Sequence, residues 1–347
     1  MTTMTAQPAT PSSDDAAPSR TRGSLFRAEL HRFRARRFIR LLLALAVLGW
    51  LVATVIGLLN YGNPTAADLS AARSTMHQVV AQSENARQQC LNDPNRPQGP
   101  SPEDICGPPV TMDQLDINDF VGKAPFDFGR AGTSGAMGFA AASSILAFLI
   151  GATWIGAEWS SRSIVALLFW VPRRLQVMGT KIAVLVLASA VIGLVAQAAW
   201  LGMAGILRAV AGSHRALPKH FWSTLLGTEA RGVLLTVLVA LLGFGLTNLI
   251  RNTGAALGIG FVYFAVIETA IRVLRPAWQP WLLSNNAVGL IKPHGLTVFI
   301  FDNLGPNGFT EPRQYLIHNL QAGIVLAAVA AVIVGVGTLL FTRRDLH

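Results

Sequence analysis

The sequence predicts an all-α integral membrane protein. Its plan is six transmembrane helices, an amphipathic interfacial helix before the first, and a short cytoplasmic helix between spans two and three. Three observations predict it. Only 13% of the 347 residues are charged and 52% are hydrophobic, whereas a soluble domain carries about 25% charged residues. Six runs (41–59, 134–157, 181–207, 231–250, 255–274 and 320–341) match the length of about 20 mostly apolar residues that a helix needs to cross the hydrocarbon core. The net charge of +10 is also unevenly placed, with eight arginines between Arg20 and Arg40, directly before the first run. Nucleic-acid binding also draws on Lys and Arg, but these arginines have little aromatic interleaving for base stacking. Their position is that of the positive-inside pattern, so no nucleic-acid partner is expected.

Residues 1–23 (MTTMTAQPATPSSDDAAPSRTRG) are rich in Thr, Ser, Pro and Ala without apolar periodicity, the composition of a disordered tail. The rest of the chain, 24–347, is read as one six-span domain. It opens on SLFRAELHRFRARRFIR, where Phe26, Leu30 and Phe33 recur at helical spacing among arginines. That pattern suits a helix lying on the inner leaflet, with lipid as its partner; a plain basic flank to the first span is the other reading. The first apolar run has 19 residues, longer than the roughly 7–15 of a signal-peptide core. No small-x-small cleavage site follows LLNYGNP, so the run is read as a retained span. Runs four and five are separated only by Arg251-Asn252-Thr253-Gly254, a hairpin turn.

Six spans place both termini on one side. Segments 1–40, 158–181, 251–254 and 342–347 hold 15 Lys/Arg against 5 Asp/Glu, while the remainder holds 13 of each. The Lys/Arg bias assigns the first set to the cytoplasm and the chain to the plasma (inner) membrane as a multi-pass protein. One outside stretch fits less well, because Arg208, Arg215, Lys219 and Arg231 have only Glu229 for company.

The outside loop 60–133 contains both cysteines, Cys90 and Cys106, in a stretch dense in Pro, Gly, Asn and Asp. In an oxidising compartment a disulfide between them would persist. Closing a loop of that size stabilises by about 3 kcal/mol in the chain-entropy model. No His or second Cys pair completes a tetrahedral metal set, so no metal is expected. The bridge staples the loop, and a ligand-binding role stays open. The second outside region, 275–318, holds the apolar runs WLLSNNAVGLI and GLTVFIF, too short to cross. They are read as re-entrant or as lying along the outer surface, with Trp278 and Trp281 in an interfacial belt.

No G-x-x-x-x-G-K-[ST] occurs, so ATP is not bound through a P-loop of this chain. Neither H-E-x-x-H nor G-x-S-x-G is present, and no enzyme chemistry of its own is expected. Within the spans, Glu268 stands out, with Arg272 one turn later. An i,i+4 pair can neutralise itself, making this an intramembrane ion pair; proton relay is the other reading. Gly254 and Gly258 form a GxxxG, and Gly132, Gly135 and Gly138 line the start of the second span, where helices could approach closely.

The segment after the second run, GAEWSSRSIVALLFWVPRRLQVMGTK, is the most informative. SIVALLFWV is apolar enough to pack on something and too short to span. Glu158 and Arg162 bracket it on one side, and Arg173, Arg174 and Lys181 on the other. Pro172 stops a short helix from running into the next span. Glu158-Trp159-Ser160-Ser161-Arg162-Ser163, Leu167-Leu168, Pro172-Arg173-Arg174 and Lys181 together resemble the intracellular segment of the type-2 ABC exporter permease family. The hairpin LTNLIRNTGAALGIGF and the terminal FTRRDL agree. Arg162 stands where that family commonly has Gly, and the Cys-containing loop is longer than in its minimal members.

The resemblance implies a coupling helix that docks into a separate ABC ATP-binding subunit through Glu158, Trp159, Arg162, Ser163, Pro172, Arg173 and Arg174. It further implies a second permease copy or paralogue, ATP and Mg held by the partner subunit and no cofactor in this chain. The apolar path suits a lipid-like or amphiphilic substrate. Two other classes stay open: an ion-coupled transporter or channel using Glu268 and Arg272, and a sensor or scaffold whose stapled loop binds a ligand.

Overall fold

In hydrocarbon every backbone N–H and C=O must be bonded within the protein, so apolar runs become helices. The computed structural model describes residues 22–94, 101–161, 163–164, 173–213, 215–304 and 310–343. Within them are six helices long and apolar enough to cross a membrane: span one (Arg37–Asn60), span two (Phe128–Ser160), span three (Arg174–Ala211), span four (Phe221–Ile250), span five (Thr253–Leu274) and span six (Asn319–Arg343). The chain is a multi-pass membrane protein. The predicted tail falls largely, and the predicted coupling helix mostly, outside the described residues.

The helices overrun the apolar runs because polar residues cap them. Asp127 accepts hydrogen bonds from Gly129 N and Arg130 N, which starts span two ahead of its apolar stretch. Arg251, with φ 60°, turns the chain between spans four and five, and Asn252 caps the latter through Ala255 N. Span five is interrupted by a π turn at Tyr263–Ile267 just before Glu268.

Span four is the axis of the bundle: 56% of its apolar window is buried, against 17% for span one and 11% for span five. Glycines make this possible. A Cβ on Gly151 of span two would lie 2.3 Å from Ala240 O, and one on Gly243 would lie 2.4 Å from Phe148 O, so the two backbones touch. Ser143 and Thr236 hydrogen bond across the same seam at 2.8 Å. The predicted glycine contacts hold in part. Gly132 faces Phe221 and Gly135 faces Trp200, but among the described residues Gly138 and Gly258 have nothing within 4 Å and Gly254 meets only the Asn252 side chain. The 254/258 GxxxG therefore forms no helix seam among the described residues.

The helical plan holds for the bulk of the described chain, with one correction in the second outside region: Leu296–Leu304 (β1) and Thr310–Ile317 (β2) pair as an antiparallel hairpin with an irregularity between Ile300 and Asn303. GLTVFIF is rich in β-branched and aromatic residues, which favour a half-buried pleated strand. Val298, Ile300 and Ile317 pack with Leu290 and Ile291 of the short helix Leu283–Ile291 onto Leu235 and Leu326 of spans four and six. The outside loop also contains a helix of 27 residues, Ala66–Asn92, started by a reciprocal capping box between Thr65 and Asp68. The Cys90–Cys106 disulfide is formed, with Cα atoms 5.8 Å apart, and joins the end of that helix to the short helix Pro102–Cys106.

Candidate functional site

Both the start of span one and the end of span six lie on one end of the bundle, here called the terminal face. The leading helix, Arg22–Ala35, packs there. Its stripe of Phe26, Leu30 and Phe33 turns toward protein: Phe33 is buried, with its ring centroid 4.3 Å from that of Trp154, and Phe26 and Leu30 flank the same core. Residue 29 shares this helical stripe, so packing the stripe carries Glu29 inside, where it is 1% exposed.

A buried carboxylate needs a partner, and Lys181, 0% exposed at the start of span three, supplies it. Lys181 Nζ lies 2.7 Å from Glu29 Oε2 and 2.7 Å from Glu158 Oε2, and donates to Glu158 Oε1 at 2.8 Å. Arg36, at the break between the leading helix and span one, reaches Glu158 Oε1 at 3.1 Å, and Arg32 reaches Glu29 from the rim at 3.1 Å. One ammonium between two carboxylates leaves a negative charge; Arg36 offsets it. Such a cluster contributes little net stability, but it fixes geometry because breaking it strands a buried charge. Here it locks the leading helix to the end of span two and the start of span three.

A second set of contacts surrounds it. The Trp159 indole donates to Asn248 Oδ1 at 3.2 Å, and the Arg251 guanidinium lies 4.5 Å over its ring. Arg174 donates to Phe341 O at 3.3 Å and Thr342 O at 3.2 Å, pairing a cation with the otherwise unsatisfied carbonyls at the end of span six. The segment between spans two and three is thus fastened on one limb by Glu158 and Trp159, and on the other by Arg174 and Lys181. Ile164 is buried in the core that holds Trp154, whereas Ser160, Ser161, Ser163 and Arg173 are exposed. Arg162, Leu167, Leu168 and Pro172 lie outside the described residues. Of the predicted partner-contact residues, Glu158 therefore faces inward: it is 3% exposed and paired with Lys181 and Arg36.

Glu268 and Arg272 do pair, at 3.4 Å. The carboxylate is 1% exposed. It accepts Ser284 N on Oε1 at 3.0 Å and the Ser284 hydroxyl on Oε2. Arg272 also donates to Ser284 Oγ at 2.6 Å and to Asn285 Oδ1 at 3.3 Å. These bonds dock the short helix Leu283–Ile291 onto the end of span five.

On the opposite, loop face, Arg215 grips Asp116 with two hydrogen bonds of 2.6 and 3.0 Å, and Arg130 also pairs with Asp116. The Arg215 guanidinium holds the Asp116 carboxyl well below the usual carboxylate range. This accounts for one of the arginines that lacked acidic company in sequence. Glu229, near the loop-face end of span four, is 7% exposed, and its Oε1 has no hydrogen-bond partner among the described residues.

Compared with known proteins, the chain matches no family model, no curated protein and no solved structure.

Proposed function

We propose that this chain is the membrane-spanning permease subunit of an ATP-driven ABC exporter, moving a lipid-like or amphiphilic substrate across the plasma membrane. A separate ATP-binding subunit binds ATP and Mg and docks on the terminal face, which is cytoplasmic; a second permease copy or paralogue completes the transporter. The observation that carries this reading is the double fastening of the 158–174 segment. Its described limbs are held by contacts to spans three, four and six, so a push on the exposed Ser163 and Arg173 passes directly into the bundle. A floppy connector would not transmit it.

Work is extracted only if the two states of the permease contact the substrate differently. The clamp contributes by forcing spans two and three to move with the segment. Glu158 and Arg174 act from within as positioning residues, while Ser163 and Arg173 offer side chains to the partner. The disulfide on the opposite face supports the same orientation, since disulfides persist in oxidising compartments.

The test is affinity co-purification of the tagged chain from its own cells in mild detergent, followed by an ATPase assay. An ATPase bearing a P-loop should accompany the chain at equal stoichiometry. Its recovery should fall with Arg173→Glu or Ser163→Arg and stay unchanged with Lys219→Glu on the loop face. A folded chain that emerges without any ATPase refutes the proposal.

A further inference from the structure

A cleft of about 370 Å³ opens on the terminal face where spans one, two and five meet, within the range of about 300–1,000 Å³ typical of ligand pockets. Arg36 and Arg37 line one side, Phe38 the apolar wall, and Thr153, Ser160 and Thr253 the rest. The backbone explains its place. Arg36 breaks the helix with φ −67° and ψ 120°, so two consecutive arginines sit at the bend where the chain turns from the leading helix into span one. Arg36 commits one nitrogen to Glu158. Arg37 is exposed and makes no hydrogen bond or ion pair among the described residues.

The hydroxyls differ in what they offer. Thr153 donates to Leu149 O at 2.6 Å and Ser160 to Ala157 O at 3.1 Å, so both present lone pairs to the cleft. Thr253 makes no such bond among the described residues. The cleft therefore pairs guanidinium donors, suited to a phosphate, with hydroxyl acceptors, suited to a ligand's own O–H groups. Spans one and five, which both pack on span two, carry exposed apolar side chains such as Phe38, Leu41, Ile259 and Phe264. Basic pockets between spans at headgroup depth bind anionic lipids.

We infer that this cleft is a binding site for an inner-leaflet anionic phospholipid with a hydroxylated headgroup, of the phosphatidylglycerol type. Arg36 and Arg37 take the phosphate, and the Thr153 and Ser160 oxygens accept from the headgroup hydroxyls. The acyl chains lie against apolar surface of the spans. The site needs no ATPase partner and uses the proposed orientation only to name the leaflet, so its failure and that of the transport proposal are separable.

Native mass spectrometry of the delipidated full chain, in micelles doped with phosphatidylglycerol or phosphatidylcholine, tests it. Phosphatidylglycerol should be retained in preference to phosphatidylcholine. Arg37→Gln should lower its retention about fivefold, the effect of one arginine at an anionic surface. Ser160→Phe, which fills the mouth without changing charge, should lower it as well. Arg34→Gln, exposed on the leading helix outside the cleft, should not. Equal losses from Arg34→Gln and Arg37→Gln, or full retention with Ser160→Phe, would mean a diffuse basic belt and overturn the inference. So would displacement of the lipid by inorganic phosphate, which would mark a free-anion site.

Discussion

Lys181 holds two carboxylates from different helices, one 152 residues away in sequence and the other 23. Replacing it by Met leaves Glu29 and Glu158 side by side without the cation between them. Breaking a buried pair in this way costs about 3–5 kcal/mol, and the thermal midpoint of the purified chain should fall accordingly, read by tryptophan fluorescence. The double change Lys181→Met with Glu29→Gln should recover much of that loss, because Glu158 keeps Arg36. A single variant as stable as the parent would show that the cluster does not lock the helices.

Asp116 behaves differently because its arginines are 47% and 58% exposed. Its folded-state pKa is depressed, so the contribution is complete above the unfolded value of about 3.9. It is lost as pH falls below that toward the folded value. Acidification from pH 5 to pH 3 should lower the midpoint more in the parent than in Asp116→Asn, by about 1 kcal/mol or less given the exposure. Equal acid sensitivity would remove Asp116 as its source. Lys181 and Glu158 were visible in sequence as charges beside spans. Glu29 carries no sequence signal of its own, because its meaning lies in a partner, Lys181, that only folding brings near.

Elements were legible to the extent that their cause is local. Six apolar runs became six helices, each starting earlier or ending later than the run, because caps such as Asp127 are polar and escape a hydropathy count. The outer helix carried its start signal, the Thr65–Asp68 capping box, inside a loop whose Pro-rich middle drew attention away from it. The hairpin was hidden because GLTVFIF fits a strand as well as a surface-lying run, and its partner strand contains the Pro312 that a strand tolerates only at an edge. Helix seams were the least legible, since a glycine pattern does not say which face meets a neighbour. Gly151→Ala should therefore be strongly destabilising: its Cβ would meet backbone at 2.3 Å, forcing spans two and four apart. Gly258→Ala, with open space around it, should change stability by no more than about 0.5 kcal/mol. The reverse order of thermal midpoints would refute this account of the core.

At the scale of the molecule the two ends are built for different purposes, and this makes orientation testable. The loop face is stapled by a disulfide and by the Asp116 salt bridges, contacts that stiffen the chain beyond the spans, and the Glu268 network docks the short helix Leu283–Ile291 onto the end of span five. The terminal face concentrates its cations around the segment between spans two and three and around the cleft beside Arg37. If that face is cytoplasmic, an impermeant maleimide added to intact cells should label Lys219→Cys on the loop face. It should reach Arg173→Cys only after the membrane is opened. The native disulfide is left in place, since its sulfurs do not react. Labelling in the opposite sense would put the exposed arginines outside, away from any ATP-binding subunit and from the inner leaflet. The transport proposal would then fall and the lipid site would belong to the outer leaflet, although the buried cluster and the span-four core would stand, because they depend only on packing within the chain.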